Sequence, residues 1–407
     1  MANLADRLKR IQEQKKSGSP SAGKVSGSVS LGISSLTKKG WVEIGFCVLK
    51  REIDAGTPLK ARKKLPKTLP ILISDLAGKD LPLTEDFLFF DLETTGLSGG
   101  AGTAAFLAAF GRLASEKNIH ITQYLLLDYP GENDFLNAVL KEFTPNSVIV
   151  SYNGKCFDSQ ILKTRCLMNR IKPPVYAHVD LLHPARRLWK KLLPDCSQGT
   201  VESGIIGISR EDDTPGALAP DIWFEFLKTG KIERLIGICD HNCADIAGLS
   251  AALEAVVSIA ENPLESDYRY DFERLALYWR DFLRRTRQKD GDLQITGEKL
   301  LFHAAQKKYP VASYVYALDL LRGGNFKEGR KRLLEISASI FPERIRAAAF
   351  RALAIDSERR LKCLDEAIEF VNRGLELLPQ GNTKGEFEKR KERLEKKNGT
   401  KVSRLIP

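Results

Sequence analysis

Strand-like segments stop near residue 265. Before that point, short apolar runs alternate with polar turns and with segments of helical period, while beyond it every apolar pattern is helical. A chain written this way predicts a layered α/β unit followed by an all-α unit. Its 407 residues are ample for both.

In the alternating part, Phe87 to Phe90 (FLFF), Phe106 to Phe110 and Ile119 to Leu127 predict three strands of a meander. Asp134 to Phe143 has helical period, Ser147 to Ser151 (SVIVS) reads as a buried strand, and Phe157 to Arg170 returns to helix. Strand, helix and strand in that order predict a parallel sheet covered by helices. A long helix is expected over Ile232 to Ala260, stopped by Asn262 and Pro263. After residue 265, the segments Arg274 to Arg285, Lys299 to Lys308, Ala312 to Leu321, Phe326 to Ile336, Pro342 to Ile355 and Ser357 to Leu378 predict helical hairpins. Lys389 to Lys397 reads as a charged, solvated tail.

The N-terminal region is different in kind. Residues 1 to 70 hold 15 Lys or Arg against 5 Asp or Glu, and the remainder 48 against 47, so nearly all of the net charge of +11 resides there. Leu4, Leu8 and Ile11 among basic residues predict a short amphipathic helix, Ser17 to Ser35 a Ser/Gly linker, and Trp41 to Glu52 a strand-like segment before the proline-broken Ala61 to Pro70. The expected divisions are a basic, partly disordered arm and linker over 1–75, an α/β domain over 76–262 and a helical domain over 263–407. A local positive segment suits a polyanion such as nucleic acid, or a solubilising arm. No run approaches about 18 uninterrupted apolar residues, and the charged N-terminus lacks a secretory apolar core, so no membrane partner is expected and the chain reads as cytoplasmic. Seven scattered cysteines suit reduced thiols; Cys239 and Cys243 lack a second ligand pair for zinc.

Three short segments carry the chemistry. Asp91 and Glu93 of FLFFDLETTG share one face at a strand end, since alternate residues of a strand point the same way. Asp158 of YNGKCFD falls in the first turn of the helix after a second strand, and His241 and Asp245 of HNCAD lie one turn apart on the long helix. Taken singly these are a strand ending in acids, a helix-starting acid and a helical His/Asp pair. Taken together, four carboxylates that converge need a cation, and hard oxygen ligands select Mg2+ or Mn2+; two such ions about 3.5 to 4 Å apart suit phosphodiester hydrolysis.

DLETTG, YNGKCFD and HNCAD, in this order, resemble the three motifs of the DEDD exonuclease superfamily, which has a ribonuclease H-like fold. DLLHPARR at 180–187 and REDDTPGALAP at 210–220 are similar to the YprB-type branch, whose members can carry helical repeats after the nuclease domain. The helical part loosely resembles tetratricopeptide repeats, through Ala317, Gly323, Gly329 and their apolar neighbours. The resemblance implies a mixed sheet flanked by helices, with Asp91, Glu93, Asp158 and Asp245 holding two divalent ions and His241 acting as general base or orienting the attacking water. It implies a metal-dependent 3′ to 5′ exonuclease acting on single-stranded DNA or RNA ends, and the helical repeats offer a place for a protein partner. In that superfamily a histidine usually precedes the last Asp by five positions; here the spacing is four, which elsewhere accompanies a tyrosine. The alternative is a nuclease-like nucleic-acid-binding adaptor without turnover. Tyr152, Phe157 and Trp223 are the aromatic candidates for stacking on bases.

Overall fold

The computed structural model describes residues 35–96, 100, 102–115, 117–210, 213–287, 290–379 and 381–402. The expected basic helix from Leu4 and nearly all of the Ser/Gly linker lie outside the described residues. The chain forms two compact units, Met1–Arg269 and Tyr270–Pro407.

The first unit is built on one seven-stranded sheet. Its strands are β1 (Val42–Gly45), β2 (Val48–Gly56), β3 (Phe87–Thr94), β4 (Ala105–Ser115), β5 (Asn118–Leu126), β6 (Val148–Ser151) and β7 (Ala177–Asp180), in the order β1-β2-β5-β4-β3-β6-β7. β3, β6 and β7 run parallel and the remaining pairings are antiparallel, so the sheet is mixed as expected. Phe87, Leu88, Phe89 and Phe90 are all fully buried because β3 is central and covered on both faces. The helices of eight residues or more among the described residues of this unit are α1 (Glu132–Val139), α2 (Asp158–Met168), α3 (Leu182–Trp189), α4 (Ala219–Thr229) and α5 (Glu233–Glu261).

Helix α5 is long and apolar enough to cross a membrane, yet 72% of its apolar window is buried inside this unit, as befits a core helix. It comes close to β4 because that strand offers small residues. A Cβ on Gly111 would stand 2.4 Å from Ile246 Cγ2, a distance no side chain tolerates.

The expected division near residue 75 does not match the packing. β1 and β2 complete the sheet, and the proline-broken stretch after them is not a free linker: Leu59, Leu69, Ile71 and Leu72 are fully buried, and Arg62 forms an ion pair of 2.6 Å with buried Glu254 of α5. The unit also extends past 262 to Arg269. Strand β7 was not foreseen, since AHVD contains one strongly apolar residue and no period.

The second unit is wholly helical among its described residues: α6 (Phe272–Thr286), α7 (Gly291–Gln306), α8 (Pro310–Arg322), α9 (Phe326–Ser337), α10 (Glu343–Asp356), α11 (Leu364–Glu376) and α12 (Asn382–Val402). Ser357 to Leu378 is not one helix. Lys362 adopts a left-handed φ of 57° and Cys363 is extended, so the chain turns there before α11 begins. Nor is the charged tail free: Phe387 and Leu394 of α12 are buried, and Glu358, 5% exposed, accepts from Arg393 at 2.6 and 2.7 Å and from Arg390 at 3.1 Å. The many charges of this segment concealed two buried apolar residues, Phe387 and Leu394, seven positions apart.

Candidate active site

The C-terminal ends of β3 and β6 and the start of α2 open onto a cavity of about 260 Å³. Asp91, Glu93, Asp158, His241 and Asp245 all line it, so the five side chains singled out from the sequence meet in one place. Each arrives by local rules. Asp91 and Glu93 alternate along β3; Asp158 is the first residue of α2; His241 and Asp245 are one turn apart on α5, with His241 Nε2 3.2 Å from Asp245 Oδ2.

The turn that delivers Asp158 is tightly specified. Asn153 has a φ of 63°, a conformation asparagine tolerates. Gly154 lies so close to the wall that a Cβ there would stand 2.4 Å from Ser151 Oγ and 2.9 Å from Asp158 Oδ2. Asp180, 1% exposed at the end of β7, accepts from the backbone N–H groups of Asn153 at 2.8 Å, Leu182 at 3.1 Å and Lys155 at 3.2 Å, and so holds the turn in place.

Electrostatically the cavity is crowded with like charge. Ligand atoms of Glu93, His241 and Asp245 lie within 4.8 Å of one another. Two carboxylate charges at that distance repel by about 3 kcal/mol at an effective dielectric constant near 20. Burial, reinforced by Asp245, Asp158 and Glu93, drives the Asp91 carboxyl well above the usual carboxylate range. Burial, with Asp245, Asp158 and Asp213, does the same for Glu93. Burial pushes Asp158 up to about 7, its position at the helix start opposing and Asp180 and Asp245 adding to the rise. Buried acids that stay so close without a countercharge are the condition a divalent ion relieves, and an all-oxygen set of this kind fits a hard cation.

Part of the compensation comes from the protein. Arg210 Nη1 lies 2.8 Å from Asp245 Oδ1, and its other nitrogens donate to buried Glu202 at 2.7 and 2.8 Å. Asp213 places both oxygens 2.8 Å from His241 Nδ1. Gly216 lies over the imidazole, where a Cβ would stand 2.9 Å from Nε2. Arg210, Asp213 and Gly216 all belong to REDDTPGALAP, a segment that stood out in the sequence without any role assigned to its residues. Glu202, Gln198 and Asn242 were not foreseen at all; Asn242 sits inside HNCAD, fully buried, and donates to Asp91 Oδ2 at 2.7 Å.

Of the aromatic candidates, Tyr152 and Phe157 line the cavity. Trp223 does not. It is fully buried, stacks on Phe106 at 5.3 Å and donates to the Leu126 carbonyl at 3.1 Å, which makes it a core residue.

A family profile described as the RNase_H superfamily matches residues 88–257, a span that runs from β3 through almost all of α5. Over 167 residues the chain is 42% identical to the uncharacterized protein YprB of Bacillus subtilis (strain 168), an alignment that covers 40% of each chain. The matched span contains all five side chains of the cavity and excludes β1, β2 and the helical unit. The mixed sheet, the parallel β3, β6 and β7, and this similarity together show that the chain carries a ribonuclease H superfamily domain of the YprB type.

Proposed function

We propose that this protein is a metal-dependent nuclease of the cytoplasm that shortens single-stranded nucleic acid from its 3′ end. The observation that carries the reading is the convergence of four carboxylates and one imidazole on a single cavity, in a domain of the ribonuclease H superfamily. A site for a polyanion gains nothing from four acids unless cations sit between them. Asp91, Glu93, Asp158 and Asp245 are the residues that would hold two Mg2+ or Mn2+ ions, which when bound supply charge neutralisation and Lewis acidity at phosphorus.

The remaining chemistry belongs to the chain. His241 is oriented by Asp213 through Nδ1, which leaves Nε2 on the cavity side next to Asp245. Once Asp245 serves as a ligand, Nε2 is the group placed to accept the proton of an attacking water. The four-residue spacing from Asp245 works because both side chains leave α5 on one face. Tyr152 and Phe157, at the rim, offer faces against which terminal bases can stack.

The test is a metal titration on end-labelled DNA and RNA oligonucleotides, with circular forms as controls. The expected result is Mg2+- or Mn2+-dependent shortening from the 3′ end of linear strands and its loss in Asp91→Ala. No shortening, with wild type and Asp91→Ala indistinguishable, would overturn the reading and favour a binding scaffold.

A further inference from the structure

Four consecutive strands of the sheet place Arg51, Gln123, Ala109 and Asp91 in one row. Arg51 of β2 is the register partner of Gln123 of β5, Gln123 of Ala109 of β4, and Ala109 of Asp91 of β3. Residues directly opposite in antiparallel strands share a face, so the row has a guanidinium at one end and a carboxylate at the other. Ala109 is too short to connect them. Into the space above it comes Asn242 from α5, and the connection closes.

Arg51 Nε and Nη2 donate to Gln123 Oε1 at 3.0 and 2.7 Å. Gln123 Nε2 donates to Asn242 Oδ1 at 2.9 Å and to the Cys239 carbonyl at 2.8 Å, and Asn242 Nδ2 donates to Asp91 Oδ2 at 2.7 Å. The sense of this chain is forced. A guanidinium can only donate, so Gln123 turns its oxygen to Arg51 and its amide N–H groups to the Cys239 carbonyl and Asn242 Oδ1, which leaves the Asn242 amide nitrogen facing Asp91. Gln123 and Asn242 are fully buried and Arg51 is 6% exposed, so water does not compete for these bonds. At its far end Arg51 is held by Asp240 at 3.0 Å and by the face of Trp41, 5.0 Å away.

We propose that Arg51, Gln123 and Asn242 are positioning residues that fix the Asp91 carboxylate against the repulsion of Glu93, Asp158 and Asp245, with Oδ2 tied down and Oδ1 left for a cation. The proposal rests on the two-ion reading of the site. Arg51 lies outside residues 88–257, so the β1–β2 hairpin is part of the site although it precedes the segment that carries the family similarity. Without the chain, the cheapest response of Asp91 to three neighbouring acids is to swing its carboxylate away from them.

The full-length protein is tested with Mn2+ alone, by calorimetry, and with a labelled oligonucleotide. Gln123→Glu keeps the shape and the bond to Arg51 but removes the donor to Asn242, which then turns its carbonyl toward Asp91. Losing an outer partner of a metal ligand lowers affinity by about 10- to 100-fold. A loss in that range is expected here, with kcat falling and KM for the oligonucleotide unchanged. Asn242→Ala, which removes the links to Gln123 and to Asp91 but leaves the Arg51–Gln123 bonds, should do the same, and serves if Gln123→Glu does not fold. Arg51→Met should weaken Mn2+ binding and Arg51→Lys recover part of it, a rescue that simple packing loss does not produce. Folded Gln123→Glu and Asn242→Ala proteins with wild-type Mn2+ affinity would overturn this proposal and leave the two-ion reading standing. Wild-type protein that binds no Mn2+ would overturn both.

Discussion

The substitution Asp158→Asn should make the metal-free protein more stable while destroying its activity. Asp158 is 5% exposed and its carboxyl is pushed from an ordinary 3.8 to about 7, chiefly by burial. A rise of about 3 units at 1.36 kcal/mol each corresponds to about 4 kcal/mol. The sign follows from proton uptake. Below pH ~4 both folded and unfolded states hold the proton and the site costs nothing. Between pH ~4 and ~7 the unfolded chain releases its proton first, so stability falls as pH rises, and above ~7 the whole penalty is present. The value of about 7 already contains the opposing attraction of a carboxylate to the start of α2, so the expectation for asparagine at pH 8 in EDTA is a gain of about 4 kcal/mol, which shifts the Tm of a unit this size upward by roughly 8–16 °C. At pH 4 the difference should vanish. Mn2+ should then raise the Tm of the wild type and far less that of the variant, because only a protein that binds the ion gains from it. Scanning calorimetry at both pH values, with and without Mn2+, reads all of this. A variant no more stable than wild type at pH 8 without metal, or one stabilised equally by Mn2+, would refute the crowding argument.

Gly154→Ala places a Cβ 2.4 Å from Ser151 Oγ and 2.9 Å from Asp158 Oδ2, so it should cost about 1–3 kcal/mol and lower Mn2+ affinity; unchanged calorimetric titrations would show that the turn has slack. His241→Ala should slow cleavage by about 10²- to 10⁴-fold with a smaller effect on metal affinity, and equal rates would remove the imidazole from the chemistry. Glu358→Gln strips the countercharge from Arg390 and Arg393 and should loosen α12, seen as faster tryptic cleavage at those arginines; an unaltered digest would mean that Phe387 and Leu394 hold the helix alone. Deleting residues 1–34, which carry six Lys or Arg against two acids, should weaken oligonucleotide binding and flatten its salt dependence by up to about 0.7 per lost phosphate contact; an identical slope would make the segment a solubility arm.

Much of the fold was legible because its elements announce themselves locally. The continuous apolar run FLFF reads as a strand and forms one, and the apolar period from Leu235 to Val256 reads as a long helix and lies within Glu233–Glu261. What escaped was structure fixed by partners. The Ala61 to Pro70 stretch groups with the N-terminal arm in sequence because prolines exclude it from a sheet, but its Leu65 and Leu69 are buried. Four residues at Ala177–Asp180 become a strand only because β6 offers them a parallel edge, and the break at Lys362 has no sequence sign stronger than a lysine.

The site divides along the same line. Its acids were readable, since a strand end, a helix start and a helical turn each aim one or two side chains by geometry that short motifs determine. The groups that make those acids tolerable were not. Arg51 reaches Asp91 through a register shared by strands 72 residues apart and a helix 119 residues beyond Gln123. Arg210 finds Asp245 only after the chain has folded back across α5, 35 positions later in sequence. Each acid is aimed by a local motif, whereas the groups that relieve their crowding arrive by long-range pairing, so a motif can identify such a site long before it can say whether the site is properly balanced. By that logic Arg51 of β2, invisible to the motifs, is the residue on which the proposed hold on Asp91 is to be tested.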